Sequence, residues 1–397
     1  MYLSKDEEKA LEGEYGESIA IAMKILVAIG EAFNAERMIP ISSAHISGIS
    51  YVNIGEEGLS FLRRIAKGVK VKVPTTTNPA AFDMERWAEM GIPEMLARGQ
   101  MEIVSLMKGI GAQDTLTCTP YLVGNEPLSG EHIAWGESSA VTYMNTMGAM
   151  TNREGGPSAL AAALTGRTPL YGLHIKEERR ADVEVRVEVS LRDTTSFSLL
   201  GYYIGTRIKS GIPLIRGLRG VERELLKSFS AGLAAASNVS MSIIEGITPK
   251  GTYLESSPDE RLHIDEKELQ EAKEMISEPL ESPELIFLGC PHYSLKELRE
   301  AAIILCNKRI RKDVRVWIAT SRVVYEEALK RGYVSVIERS GAKVIRDTCA
   351  VVAPISSIGI RRVVTDSAKA AHYLSLRHRT DVMLASLHEA LRLALER

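Results

Sequence analysis

Cysteine is scarce in this sequence, with four in 397 residues. That is too few for a disulfide framework. No two of them form a C-x-x-C pair, so a local zinc knuckle or ribbon has no basis in the sequence. No stretch reaches the ~18 consecutive apolar residues of a membrane span. Neither G-x-G-x-x-G nor a Walker A sequence occurs, which argues against a dinucleotide or ATP site. A strong excess of one charge is also missing: the net charge is −2, and nothing suggests a nucleic-acid binder. The opening residues Ser4-Lys5-Asp6-Glu7-Glu8 lack the basic front of a signal peptide and read as a capped helix start. A cytoplasmic protein is expected. Glutamine is limited to Gln100, Gln113 and Gln270, consistent with a heat-adapted source.

What is present is ordinary for a soluble globular chain: 45% hydrophobic and 25% charged residues. At roughly 100–200 residues per domain the length predicts two or three domains. Such a chain buries a large core unaided, so a metal would serve chemistry more than folding. The basic runs Lys176–Arg180 and Lys308–Lys312 read as solvated faces.

The N-terminal third predicts a helix from Ser4 to about Phe33, interrupted near Gly13 and Gly16, and a helix over Glu94–Leu106. Ile39–Tyr51 and Val73–Asp83 read as loops, Asp114–Val123 as β-like, and Ser158–Leu164 as a helix of small residues. Asp182–Leu191 alternates apolar and polar residues, predicting a strand with one buried and one wet face. Helices are expected at Ser196–Lys209 and Gly220–Ala236, and a linker at Pro249–His263. The last third alternates strands (Leu285–Leu288, Val314–Ala319, Lys343–Arg346, Arg362–Thr365) with helices, the pattern of a parallel α/β sheet.

In open α/β sheets ligands bind beyond the carboxyl ends of strands. Cys290, Ser321, Arg322, Cys349, Ser367 and Lys369 all fall at such ends and are expected to share one rim. Cys306 ends an apolar helix and reads as core. Cys118, Cys290 and Cys349 instead occupy polar or Gly/Pro-flanked turns. Three thiolates from distant loops suit an iron–sulfur cluster, and three ligands on a four-iron cluster leave one iron open as a Lewis acid. His45 and His292 lie in candidate site loops, while the other six histidines read as structural. Arg153, before a helix N-terminus, is a candidate anion clamp, with a salt bridge to Glu154 or Glu137 as the alternative. Lys369, in the first turn of a helix, is unusual because the dipole disfavours a cation there; a bound anion would offset that.

The segments SSAHISGISYVNIGEEGL, TTTNPAAFD, DTLTCTPYLVGN, WGESSAVTYMNTMGAMTNREGGPS, LGCPHYSLKEL and RDTCAVVAP together resemble aconitase X, a divergent branch of the aconitase superfamily. The resemblance runs in order over essentially the whole chain. It implies an aconitase-like α/β fold of three α/β domains around a central cleft, lacking the swivelling fourth domain. The expected divisions are residues 1–170, 171–280 and 281–397. Cys118, Cys290 and Cys349 match the family's cluster ligands, a set without the C-x-x-C pair of aconitase proper. The resemblance implies an iron–sulfur cluster, [4Fe-4S] first, with mononuclear iron or a smaller cluster as alternatives.

The family holds two activities, dehydration of cis-3-hydroxy-L-proline and of (R)-5-phosphomevalonate. A chain without the swivelling domain resembles the large subunit of the second type, which acts in an archaeal mevalonate pathway. By resemblance a partner small subunit carries the swivelling domain and the catalytic serine, and the substrate is a small phosphorylated hydroxy acid. His45, Glu137 and Asn152 are expected in catalysis, and Asn78, Arg153, Arg322, Ser367 and Lys369 in substrate binding. The competing readings are the hydroxyproline enzyme, a non-catalytic iron–sulfur regulatory protein and a zinc enzyme on the same cysteines.

Overall fold

The computed structural model describes residues 1–396. Several helices begin where the sequence supplies a side-chain cap. Ser4 and Glu7 form a capping box at the start of Lys5–Glu12, left-handed Gly13 ends that helix, and Glu17–Ala32 follows. The same logic sets Ser294 before Leu295–Leu305, Ser321 before Arg322–Lys330 and Ser367 before Ala368–His378.

Three parallel sheets carry the fold. In the N-terminal part Ala44–Ile46 lies between Thr75–Thr77 and Ala134–Trp135. The two segments read as loops therefore each hold strand, Met38–Pro40 and Ala44–Ile46 in the first and Thr75–Thr77 in the second. Each is only three residues long, too short to show a period, and is fixed by pairing with distant residues. Asp114–Val123 holds no strand: Leu116 turns left-handed at φ 40°, and Pro120–Leu122 forms a 3₁₀ turn.

In the middle part Val183–Val187 is paired on both sides, by Pro213–Arg216 and Glu260–Ile264. The last of these extends out of the stretch read as linker. The expected wet face is not wholly wet. Glu184 is buried because Arg186 and Arg216 both bind it, at 2.7 and 3.1 Å.

The C-terminal sheet has five parallel strands, in the spatial order Lys343–Arg346, Arg315–Thr320, Leu285–Tyr293, Arg362–Thr365, Asp381–Leu384. Leu285–Tyr293 is central and buried along its whole length. One core joins all three parts through Trp135, Phe197, Phe229, Phe287 and Trp317. Two smaller cores fill the N-terminal part and the far face of the C-terminal sheet. Among the described residues no helix is long and apolar enough to cross a membrane.

Two residue-level expectations change. Cys306 is exposed, because the helix ends at Leu305 and the chain turns outward at the cap. Arg179, inside a basic run read as solvated, is fully buried, holding Asn145 Oδ1 and the Leu173 carbonyl at 3.1 Å each. Lys308, Arg309 and Lys312 of the other run are exposed.

Candidate active site

Cys118, Cys290 and Cys349 are all buried. Each follows closely on a left-handed residue: Leu116 at φ 40°, Gly289 at φ 92° and Asp347 at φ 66°. A bulky leucine or an aspartate in this region is costly, of the order of 1–3 kcal/mol, and persists only where the surroundings over-determine it. Gly289 admits no substitute, since a Cβ there would stand 2.2 Å from the Ala319 carbonyl oxygen. This close approach lets the chain leave the sheet and present Cys290 beyond the strand end.

The three thiols belong to one electrostatic neighbourhood. Burial pushes each of them up, Cys290 to about 12. Cys349 adds to the rise at both Cys118 and Cys290. The Lys369 ammonium opposes it at all three, and a hydrogen bond with Ser367 opposes it at Cys290. Among the described residues no three His, Cys, Asp or Glu side chains stand close enough to hold a single metal ion.

His292 lies fully buried between the thiol loops. Its backbone N–H donates to Cys118 Sγ at 3.3 Å. Its ring meets Thr117 Oγ1 at 3.0 Å through Nδ1 and the Thr348 carbonyl at 2.8 Å through Nε2.

Beside the thiols stands a buried ion pair, Lys369 with Glu137. Burial alone would raise Glu137, but the Lys369 cation and hydrogen bonds from Lys369, Asn78 and Ser139 outweigh it and hold the carboxyl down at about 2. Burial opposes the charge on Lys369, yet Glu137, Cys290 and Cys118 hold its pKa above the ordinary value. A lysine in the first turn of a helix is thus explained by a carboxylate facing it rather than by the dipole.

A chain of hydrogen bonds feeds the carboxylate. Asn78 Nδ2 donates to Glu137 Oε2 at 3.0 Å, which leaves Asn78 Oδ1 as acceptor for His45 Nε2 at 3.3 Å. His45 Nδ1 then accepts from Thr76 Oγ1 at 2.8 Å, and that hydroxyl accepts from Asn125 Nδ2 at 2.8 Å. Every donor points toward the negative charge, the arrangement in which hydrogen bonds strengthen one another. Burial lowers His45 to about 4 against the pull of Glu137 and Asn78, so its ring is neutral and both nitrogens are engaged.

The structure thus brings together the three cysteines with His45, Asn78, Glu137, Ser367 and Lys369. The remaining expected site residues are spent elsewhere. Asn152 donates to the Tyr171 carbonyl at 3.0 Å and accepts from the Leu173 N–H at 2.9 Å. Exposed Arg153 reaches the C-terminal end of the helix Arg223–Ala236, donating to the Ser237 carbonyl at 3.2 Å. Its alternative, a salt bridge to Glu154 or Glu137, does not form. Arg322 bridges Glu85 at 2.7 Å and Asp347 at 2.6 Å, joining the N-terminal part to the loop before Cys349.

Thr76, Asn125 and Ser139 escape a sequence reading. Their only signal is a polar residue inside a segment already singled out, and each partner lies far off or inside a turn.

Residues 1–177 match the family model "Aconitase X first domain", 181–274 the second-domain model and 283–396 the third-domain model. This chain belongs to the aconitase X family. The crystal structure of Thermococcus kodakaraensis aconitase X in its holo-form superposes at a TM-score of 0.91, with 39% identity and 98% of each chain covered. The fold is accordingly aconitase-like α/β.

Among relatives of this aconitase X chain, one named phosphomevalonate dehydratase large subunit, from Methanothermobacter thermautotrophicus, is 44% identical, covering 94% of each chain. Its namesake from Methanocaldococcus jannaschii is 42% identical, over 99% of this chain and 100% of that one. A cis-3-hydroxy-L-proline dehydratase from Pseudomonas aeruginosa is 34% identical, over 92% of this chain but 65% of its own length.

Proposed function

We propose that this chain is the large, catalytic subunit of a hydro-lyase converting (R)-5-phosphomevalonate to trans-anhydromevalonate 5-phosphate and water. The observation that carries the reading is the set of three buried thiols gathered beside one fixed ion pair. The choice of substrate is supported by the relatives named phosphomevalonate dehydratase large subunit, which this chain matches at 39–44% identity over nearly their whole length.

Three sulfur donors from separate loops, with a lysine easing their ionisation, fit an iron–sulfur cluster. Cys118, Cys290 and Cys349 are the ligands in this reading, and [4Fe-4S] is the form that leaves one iron free. When bound, such a cluster supplies Lewis acidity toward a substrate hydroxyl.

The chain's own residues do the rest. Lys369 uses one N–H on Glu137 and one on Ser139 Oγ, at 3.3 Å for the latter. Its third N–H is left for a substrate oxygen. Because its pKa is raised, it binds anionic oxygen as a permanent cation and does not accept a proton. Glu137, held at about 2, is too weak a base to take a carbon-bound proton and serves to fix Lys369. His45 and Asn78 orient Glu137. The proton next to the substrate carboxylate therefore needs a base from outside this set, which agrees with a serine brought by a partner small subunit.

The deciding assay gives the anaerobically prepared chain, with its small subunit, both candidate substrates. The reading expects turnover of (R)-5-phosphomevalonate and none of cis-3-hydroxy-L-proline. The reverse result would overturn it.

A further inference from the structure

His292 is one residue in contact with all three thiol loops. It follows Cys290 by two positions, its N–H meets Cys118 itself, and its ring bridges Thr117 to Thr348, the residues preceding Cys118 and Cys349. We propose that His292 is a positioning residue that fixes the three cysteine loops relative to one another, so that the thiol cradle is preformed before any metal arrives. This rests on the ligand assignment made above.

The hydrogen-bond directions are forced. The Thr348 carbonyl can only accept, so the ring proton is on Nε2, and Nδ1 accepts from the Thr117 hydroxyl. That hydroxyl is itself pinned by the Thr119 N–H at 3.1 Å and the Thr119 hydroxyl at 3.0 Å. The His292 carbonyl receives Lys227 Nζ at 2.9 Å, and Lys227, also buried, is balanced by Glu297 at 2.5 Å. Every polar atom of His292 is thus engaged, and none reaches solvent.

Two facts make this tie consequential. The loops it joins are remote in sequence, 174 residues apart across Cys118 and 56 across Thr348, so chain connectivity alone does not set their spacing. Each loop also carries the left-handed residue noted above, a conformation that external bonds must hold. Partners of this kind, which orient metal ligands, typically contribute about 10–100-fold to metal affinity or activity.

The test uses His292→Phe, which keeps a flat aromatic ring of somewhat larger size and deletes both ring nitrogens, and Thr117→Val, which deletes a single hydroxyl. Each full-length protein is loaded anaerobically with ferrous iron and sulfide, and iron loss to a chelator is timed. The metal-free proteins are then titrated with a coloured disulfide reagent; exposed Cys306 supplies a fast phase and the three buried thiols a slow one. His292→Phe is expected to lose iron about 10–100-fold faster than the parent and to accelerate the slow thiol phase. Thr117→Val should follow in the same direction by less. Iron retention and slow-phase rates equal to the parent's, in folded variants, would overturn the proposal; a drop in melting temperature alone would do the same. Should His292→Phe fail to fold, Thr117→Val decides by the same readouts. A parent protein that binds no iron would contradict the ligand assignment instead, and the thiol phase of the metal-free proteins would still decide whether His292 holds the loops.

Discussion

Two buried carboxylates in this molecule are shifted in opposite directions. Glu137 is held down at about 2, while burial pushes Asp366 up to about 7. Asp366 lies three positions before Lys369, the residue that pairs with Glu137, so both carboxylates belong to one end of the C-terminal sheet. Glu137 meets an ammonium and accepts from Asn78 and Ser139. Asp366 has one oxygen bonded by the Tyr293 hydroxyl and the other without a partner, and the nearby Lys227 is spent on Glu297. Burial raises both; the partners decide the direction of the net shift. One region is built to keep a fixed ion pair beside the thiols, the other to hold a carboxyl proton well above the usual carboxylate range.

Removing the cation should do the most damage. Lys369→Met leaves Glu137 charged and unpaired in the interior, which costs about 3–5 kcal/mol. It also removes the N–H available to substrate, for a fall of about 10²–10³ in kcat. Denaturant unfolding and steady-state kinetics check the two parts. A variant with the stability and rate of the parent would end the claim that the pair is fixed and functional.

The next effect tests the second carboxyl. The folded carboxyl of Asp366 titrates near 7 against an ordinary 3.8, so the folded state holds this proton more tightly than the unfolded state does. Its contribution to stability is complete below about pH 4 and is lost as pH rises toward about 7. Asp366→Asn carries no such loss and can still accept from Tyr293. Relative to the parent it should gain about 2–4 kcal/mol at pH 8 and nothing near pH 4. Denaturation curves at the two pH values measure this; a gain that does not depend on pH would contradict it.

A smaller effect separates orientation from chemistry. His45→Phe cuts the hydrogen-bond chain one residue short of Asn78 and should lower kcat about 10–100-fold with less change in KM. Because both His45 nitrogens are engaged in the folded protein, the acid limb of the pH–rate profile should stay where it is. Loss of a titration near pH 4 would instead make His45 a proton carrier.

The smallest effect is expected at Arg153. Its guanidinium caps the end of a helix at an exposed position, so Arg153→Ala should cost about 0.3–1 kcal/mol of stability and leave KM nearly unchanged. A KM raised by an order of magnitude would place it on the substrate.

Much of this architecture is legible in the sequence. The last third alternates strands and helices cleanly enough that Lys343–Arg346 is found at the residues expected. The Ser4 cap marks a helix start by chemistry that acts within four residues. What could not be read is what distant pairing decides. Ala44–Ile46 and Thr75–Thr77 are strands only because they lie side by side. Glu137 and Lys369 are 232 residues apart, and nothing local to either announces the other. Cys290 and Cys349 could be placed at ends of strands in one sheet, but Cys118 belongs to another part of the chain, and its place beside them came from the family resemblance. His292 was legible as a histidine in a site loop, and its contacts with all three thiol loops were not.

The account stands most directly on the three cysteines. Iron and acid-labile sulfide, measured per chain after anaerobic purification, should appear in stoichiometric amounts in the parent and fall below half in Cys349→Ser, with activity lost alongside. A parent chain without iron, or a Cys349→Ser chain that keeps both its iron and its turnover, would contradict it.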